Sequence, residues 1–452
     1  MTTKKAAKPA KSAKKKTPAP TPAKKHSGKH PTPPVQPPNP VPAPLPGPVP
    51  DPTQPGQPAF NQPKPSGDPT SFSKAVTDKG VQGLNQLQPL PSLPNPATLP
   101  EPVLTLAQVY GSAGAAKEAA ITAAGQIVFH SVGDTGSVTG PATQSLVADK
   151  MVTDFDEANT ADIPSFFFHL GDMVYYFGEP TYYYDQFYEP YRDYPAPILA
   201  IAGNHDGVVY ANETLTSLQG YLANFCTPTP VHNPDAAGLD RTTMIQPAVY
   251  FTFEAPFVRI LGLYSNVLED PGVISGQTGT SGANNTLDSR QVDFLTAALT
   301  RIKTEKFTGA IIIAVHHPPF TGGSEHGGSP LMLADIDSAC TAAGVWPHAV
   351  FSGHAHNYQR YTRTVNGKQI PFVVAGCGGH NPLSKMRATV RTPYQIDDTL
   401  TLNSVDDTDY GYLRVVVNAT TLTVEYHPES DGGTTKTPDD MVTVNLANYT
   451  VS

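Results

Sequence analysis

Five short apolar runs in this chain each end directly in residues that bind metals or carry protons, and that pattern narrows its fold more than any other feature. Ile127–Val132 leads into Gly133-Asp134-Thr135-Gly136, and Ser165–Leu170 into Gly171-Asp172-Met173-Val174-Tyr175. Ile198–Ala202 leads into Gly203-Asn204-His205-Asp206, Ile311–Val315 into His316-His317-Pro318, and Ala349–Ser352 into Gly353-His354-Ala355-His356. Each run has the length and β-branched or aromatic content of a buried strand. In α/β sheets, ligands gather at the carboxyl ends of the strands. Glycine beside most of these polar residues lets the backbone turn sharply and approach a bound group. One such tail is more often an ordinary turn, and a lone buried histidine more often a core residue. Five in succession are not accounted for that way.

Helical patterns separate the runs, near Thr143–Glu157, Tyr182–Tyr191, Thr214–Phe225, Ser289–Lys306 and Met332–Ala343. Two-residue alternation marks Val249–Leu263, Ile370–Ala375 and Tyr412–Tyr426 as antiparallel strands. Strand–helix alternation with late hairpins predicts an α/β body with mixed sheets.

This body does not extend to the amino terminus. Of the 48 prolines, 26 fall in residues 1–100, with 13 lysines, no arginine and three acids. That net +10 leaves −19 on residues 101–452 against the whole-chain value of −9. The expected organisation is a disordered Lys/Ala/Pro-rich leader and linker over 1–100, followed by a catalytic domain over 101–452. The leader cannot bury enough apolar surface to offset its ordering entropy. Its charge suits weak electrostatic binding to nucleic acid or an anionic surface, or simply a solubilising tail. The acidic body argues against nucleic-acid binding by the fold itself. No apolar stretch is long enough to span a membrane. A basic start without a following apolar segment is not a secretory signal, so the expected location is cytoplasmic. Cys226, Cys340 and Cys377 are too few and too scattered for a disulfide framework or a thiolate metal site, and read as free packing residues.

The inventory behind the strands is Asp, Asn, His and Tyr without thiolate. Such a mixed oxygen and nitrogen set suits two divalent or trivalent ions, with one carboxylate bridging them, rather than a structural zinc.

In order and spacing these motifs resemble the calcineurin-like metallophosphoesterases. Tyr175, and Gly136 where many members have a histidine ligand, resemble the purple acid phosphatase branch. The resemblance implies a four-layer α/β/β/α sandwich of two mixed sheets and a dinuclear-metal phosphoester hydrolase of acid-phosphatase type. A metal-bridging hydroxide would attack a phosphomonoester in line. It further implies that Asp134, Tyr175 and His356 hold the first metal, Fe(III), and that Asp172 bridges both. Asn204, His316 and His354 would hold the second, Fe, Zn or Mn, with His317 as the fallback for His316. His205 would protonate the leaving oxygen, Asp206 would orient His205 by hydrogen bond, and His326 would contact substrate. The alternative on the same metals is a phosphodiesterase acting on cyclic nucleotides or phospholipid head groups. A non-catalytic binding protein on this fold would be marked by a lost ligand, and all seven ligand positions are filled. His169 and His380 are candidates for a place beside the site or in the core, as are Asn357 and Tyr358.

Overall fold

The computed structural model describes residues 87–91, 101–137, 139–208, 216–276 and 287–452. The expected leader lies outside the described residues, apart from 87–91. In chain order the strands are β1 (Val103–Thr105), β2 (Gln126–Val132), β3 (Phe167–His169), β4 (Ile198–Ala200), β5 (Phe251–Ala255), β6 (Val258–Leu263), β7 (Ala310–Val315) and β8 (Ala349–Ser352). They continue as β9 (Tyr358–Val365), β10 (Lys368–Ala375), β11 (Tyr394–Asp397), β12 (Leu400–Asp406), β13 (Gly411–Asn418), β14 (Thr421–Pro428) and β15 (Asp440–Asn445). The helices are α1 (Leu106–Tyr110), α2 (Gly114–Ala124), α3 (Ala142–Thr153), α4 (Gln219–Phe225), α5 (Arg290–Thr304) and α6 (Pro330–Ala343).

The strands form two mixed sheets, ordered β1-β5-β6-β7-β8-β10-β9-β12-β11 and β15-β14-β13-β2-β3-β4. In the smaller sheet β2, β3 and β4 run parallel. In the larger, β6, β7, β8 and β10 do. The sheets meet face to face through apolar side chains. Phe166 packs on Phe253 with ring centroids 4.9 Å apart, and Phe168 on Phe251 at 6.2 Å. Helix α3 covers the outside of the smaller sheet and α5 and α6 the outside of the larger, giving the expected α/β/β/α order.

Local chemistry explains the helices. In α5, Phe294, Leu295, Ala298, Leu299 and Ile302 recur at helical spacing and are buried. Helix α6 starts at the Ser329 cap with Pro330 in its first turn and stops at Gly344, which takes a left-handed φ of 67°. The helix expected over Tyr182–Tyr191 is instead a 3₁₀ turn, Pro180–Tyr182, and a π turn, Tyr184–Tyr188. The wider turn directs Gln186 inward together with Phe187 and Tyr188. From there Gln186 bonds both backbone groups of Tyr175: its Oε1 accepts from the amide at 2.9 Å and its Nε2 donates to the carbonyl at 3.0 Å. Of the helix expected over Thr214–Phe225, residues 214 and 215 lie outside the described residues, and among the rest Gln219–Phe225 is α-helical. Strand β1 and helices α1 and α2 lie where no periodicity singled them out.

Residues 87–91 lie within the stretch expected to be linker, yet they touch the body. Leu87 is buried beside Val273 and Leu287, and the backbone of Gln88 exchanges two hydrogen bonds with the Asn266 side chain, both 2.9 Å. All three cysteines are free and buried. Among the described residues no helix is long and apolar enough to cross a membrane.

Candidate metal centre

The parallel strands of both sheets point their carboxyl ends at one place. From the smaller sheet, β2 delivers Asp134, β3 delivers Asp172 and Tyr175, and β4 delivers Asn204, His205 and Asp206. From the larger, β7 delivers His316 and β8 delivers His354 and His356. Backbone bonds stitch the two rims together: Gly133 N donates to Ala375 O at 2.9 Å, and His380 N donates to Asp134 O at 2.8 Å. Asp134, Asp172 and His354 take left-handed φ values of 56°, 57° and 67°. That conformation is costly for residues with a Cβ and persists only where the surroundings over-determine it. The flanking glycines are required by crowding. A Cβ on Gly203 would sit 2.0 Å from Asp172 Oδ1, and one on Gly353 2.4 Å from Asp134 Oδ2.

The seven donors fall into two groups that share Asp172. Tyr175 Oη lies 3.2 Å from Asp134 Oδ1, 3.1 Å from Asp172 Oδ2 and 3.2 Å from His356 Nε2. On the other side His316 Nε2 lies 3.2 Å from Asp172 Oδ2 and 3.1 Å from Asn204 Oδ1, which is itself 3.1 Å from His354 Nδ1. Ions with bonds of about 2.0–2.2 Å hold tetrahedral ligand atoms ~3.4 Å apart, so these separations match ligands around a metal. All seven residues are buried. The donor set fits two ions: oxygens and imidazoles only, with carboxylates and imidazoles converging from opposite sides.

The electrostatics fit as well. Two carboxylates buried this close do not ionise together readily. Burial pushes the Asp134 carboxyl up to about 8, helped by the charge of Asp172 and opposed by His316. Asp172 moves the other way: His316 and His205 outweigh its burial and hold it below the usual carboxylate range. For His316 the two carboxylates outweigh burial and raise it to about 10. Burial lowers His354 and His356 and lifts the Tyr175 phenol well above its ordinary value. A site that shares protons in this way is one where cations would displace them.

Around the donors, His205 presses its ring on Tyr175 at 4.4 Å and its Nδ1 is 2.9 Å from Tyr176 O. A ring nitrogen facing a carbonyl carries the proton, so Nε2 is the atom turned toward the site. The expected bond from Asp206 to His205 is corrected by this geometry. Asp206 Oδ2 accepts from the amides of Asp172 and Gly203, both at 2.8 Å, and Oδ1 from those of Met173 at 3.0 Å and Val174 at 3.4 Å. Four amides in two tight turns need an acceptor, and Asp206 supplies it, so it shapes the loops while a backbone carbonyl orients His205. Of the two adjacent histidines, His316 enters the centre. His317 is engaged outside it by Ser265 Oγ and Leu268 O, each 2.7 Å from a ring nitrogen. His326 is buried against His354, ring centroids 4.3 Å apart. His380 packs against Tyr175 with ring centroids 3.9 Å apart and a 35° tilt, and its Nδ1 meets Gly136 O at 2.9 Å. His169 bonds Thr135 beneath the centre. Asn357 and Tyr358 are directed to Ser384 and Asp440.

Two acids were missed by sequence reasoning. Glu269 Oε2 accepts from Asn204 Nδ2 at 3.1 Å and lies 3.9 Å from His205 Nε2. Asp270 lies 3.6 Å from His354 and 3.8 Å from His326. They follow the end of β6 by six and seven residues, without the glycine that marked the other motifs.

Comparison with known proteins agrees with this geometry. A profile of the calcineurin-like phosphoesterases matches residues 132–358, and one described as iron/zinc purple acid phosphatase-like protein C matches residues 371–436. No curated protein matches in sequence. Among solved structures, a purple acid phosphatase from yellow lupin (Lupinus luteus) seeds is similar in fold, with 17% identity and a TM-score of 0.50 over 71% of this chain and 54% of that one. This chain therefore spans about half the length of the lupin protein. The GAP50 anchor in the inner membrane complex of Plasmodium aligns at 12% identity and a TM-score of 0.46, over 71% of this chain and 89% of that one.

Proposed function

Since the chain belongs to the calcineurin-like phosphoesterase family, we propose that it hydrolyses phosphate esters at a dinuclear metal centre, with a phosphomonoester as substrate. The observation that carries this reading is the pair of donor groups joined at Asp172. Asp134, Tyr175 and His356 would hold one ion, and Asn204, His316 and His354 the other, with Asp172 between them. When bound, such a pair polarises the phosphoryl oxygens and makes an attacking water available at neutral pH. Tyr175 selects a hard trivalent ion such as Fe(III), because a buried phenol gives up its proton only to a strong positive charge. The mixed amide–imidazole set suits Fe, Zn or Mn.

The remaining residues act on the ester itself. His205, held by Tyr176 O through Nδ1, turns Nε2 to the substrate side and, as the imidazolium with both nitrogens protonated, would deliver the Nε2 proton to the departing alkoxide and return to the neutral ring. His326 would bind the phosphoryl oxygens. Asp206 keeps the two ligand-bearing turns in register. The diester alternative draws support from Glu269 and Asp270: a diester brings one negative charge fewer than a monoester to the side of the site where these acids lie.

Purified protein replete with iron and zinc tests the reading. It should show a violet to pink absorption band that Tyr175→Phe removes, and should cleave p-nitrophenyl phosphate faster than its bis-ester. A metal-loaded protein without hydrolytic activity on either ester would overturn the reading. Faster bis-ester cleavage would replace the monoesterase by the diesterase.

A further inference from the structure

Five buried polar atoms without hydrogen-bond partners among the described residues converge beside the second donor group: Asp270 Oδ2, Glu269 Oε1, His354 Nε2 and both ring nitrogens of His326. Buried polar atoms are nearly always satisfied, so a cluster of this kind marks a working arrangement rather than a packing accident. Asp270 is at its middle. Its Oδ1 accepts from Gly327 N at 3.1 Å and lies 3.6 Å from His354 Nε2, while its Oδ2 lies 3.8 Å from His326 Nδ1. Its side chain is 1% exposed, and those of His354 and His326 are 2% and 3%.

We infer that Asp270 is the positioning residue that ties the second metal site to the substrate-binding histidine. The inference rests on the phosphoesterase reading and adds a residue to it. An imidazole that binds an ion through one nitrogen keeps its proton on the other, and that N–H needs a carboxylate or carbonyl to fix the ring. His354 presents Nδ1 to Asn204 and the metal donors, so its Nε2–H has to be received elsewhere, and Asp270 Oδ1 is the acceptor that faces it. The second oxygen of the same carboxylate faces His326. The bond of Oδ1 with Gly327 N anchors the glycine-rich loop, Gly322–Gly328, that carries His326. One carboxylate thus sets the angle of a metal ligand and the place of a substrate contact.

The same residues could instead chelate a third ion, since donor atoms of Asp270, His326 and His354 all lie within 4.8 Å of one another. A neutral imidazole cannot bind two metals at once, which favours the positioning role. The test is direct. Asp270→Asn, His326→Asn and the unaltered full-length chain are loaded with Zn(II), and bound metal per chain and its affinity are read by chelator competition. Unfolding of the metal-free proteins is followed in parallel. Asp270→Asn should weaken one ion about 10–100-fold and leave the other unchanged. Metal-free unfolding should stay the same, because Asn keeps the shape and its Oδ1 keeps the Gly327 bond; that oxygen still faces His354 Nε2, so what the substitution removes is the negative charge that makes it a strong acceptor. His326→Asn should leave both affinities unchanged and raise KM for p-nitrophenyl phosphate. Wild-type affinity in Asp270→Asn would overturn the inference, as would a third wild-type ion that this substitution abolishes. A wild-type chain that binds two ions but hydrolyses nothing would sink the phosphoesterase reading while leaving the Asp270–His354 link to stand on the affinities.

Discussion

At the scale of single residues, backbone and side chain serve the centre separately. His205 N donates to Asp172 Oδ1 at 2.9 Å, while its ring is turned to the substrate side. His205→Asn keeps the amide and removes the group proposed to donate the proton. The expected result is a fall in kcat of about 10²–10⁴-fold with metal content unchanged, read by steady-state kinetics beside metal analysis. Gly203→Ala does the reverse. Its new methyl would overlap Asp172, whose carboxylate belongs to both donor groups. Metal affinity should fall for both ions, with a stability cost of about 1–3 kcal/mol. A variant that still holds both ions at wild-type affinity would refute the crowding argument. The donors themselves were legible in the sequence because each directly follows an apolar run. Tyr175, six residues past β3, was legible through its spacing from Gly171-Asp172, whereas Glu269 and Asp270, six and seven residues past β6, stand in no such motif.

At the scale of elements, the strands that carry donors were plain from composition, and so were α5 and α6. What stayed hidden depended on tertiary contacts. The π turn at Tyr184–Tyr188 replaces a helix because Gln186 must reach the backbone of Tyr175, a requirement set by a residue eleven positions away. Elements are also joined by a buried histidine with a fixed tautomer. His348 Nδ1 accepts from Ile311 N in β7 at 3.0 Å, and its Nε2 donates to Leu446 O just after β15 at 3.0 Å. Protonation would destroy the first bond, and burial holds the ring down at about 4. Since this lies below the unfolded value, the unfolded chain takes the proton first as pH falls. Stability is therefore complete above about 6.5 and is lost between there and about 4, by roughly 2–3 kcal/mol. His348→Gln can keep both bonds without titrating. Urea unfolding of the metal-free proteins should show a shallower loss of stability for His348→Gln between pH 7 and pH 4, and identical slopes would refute it.

At the scale of the whole molecule, the layered order followed from the family resemblance. Strand–helix alternation alone implied two mixed sheets less specifically, because pairing between distant strands such as β2 and β13 leaves no local signature. The boundary of the body is equally a tertiary matter. Leu87 and Gln88 sit in proline-rich sequence, yet they engage Val273 and Asn266 in the segment that leads into and out of Asp270. A chain beginning at residue 87 should melt like the full-length protein and match its kcat/KM. One beginning at residue 92 should lose about 2 kcal/mol, the burial of one leucine, and melt a few degrees lower. Equal melting temperatures for the two would show that this contact contributes nothing.

The donors come from both rims: Asp134, Asp172, Tyr175 and Asn204 stand on one sheet, His316, His354 and His356 on the other. An ion gripped from both sides leaves only after bonds on both rims have broken, and every residue that grips it is buried. The residence time of the metal then belongs to the sandwich more than to any ligand. Stripping by a chelator should be slow, indifferent to chelator concentration once that is high, and as steeply dependent on temperature as unfolding itself.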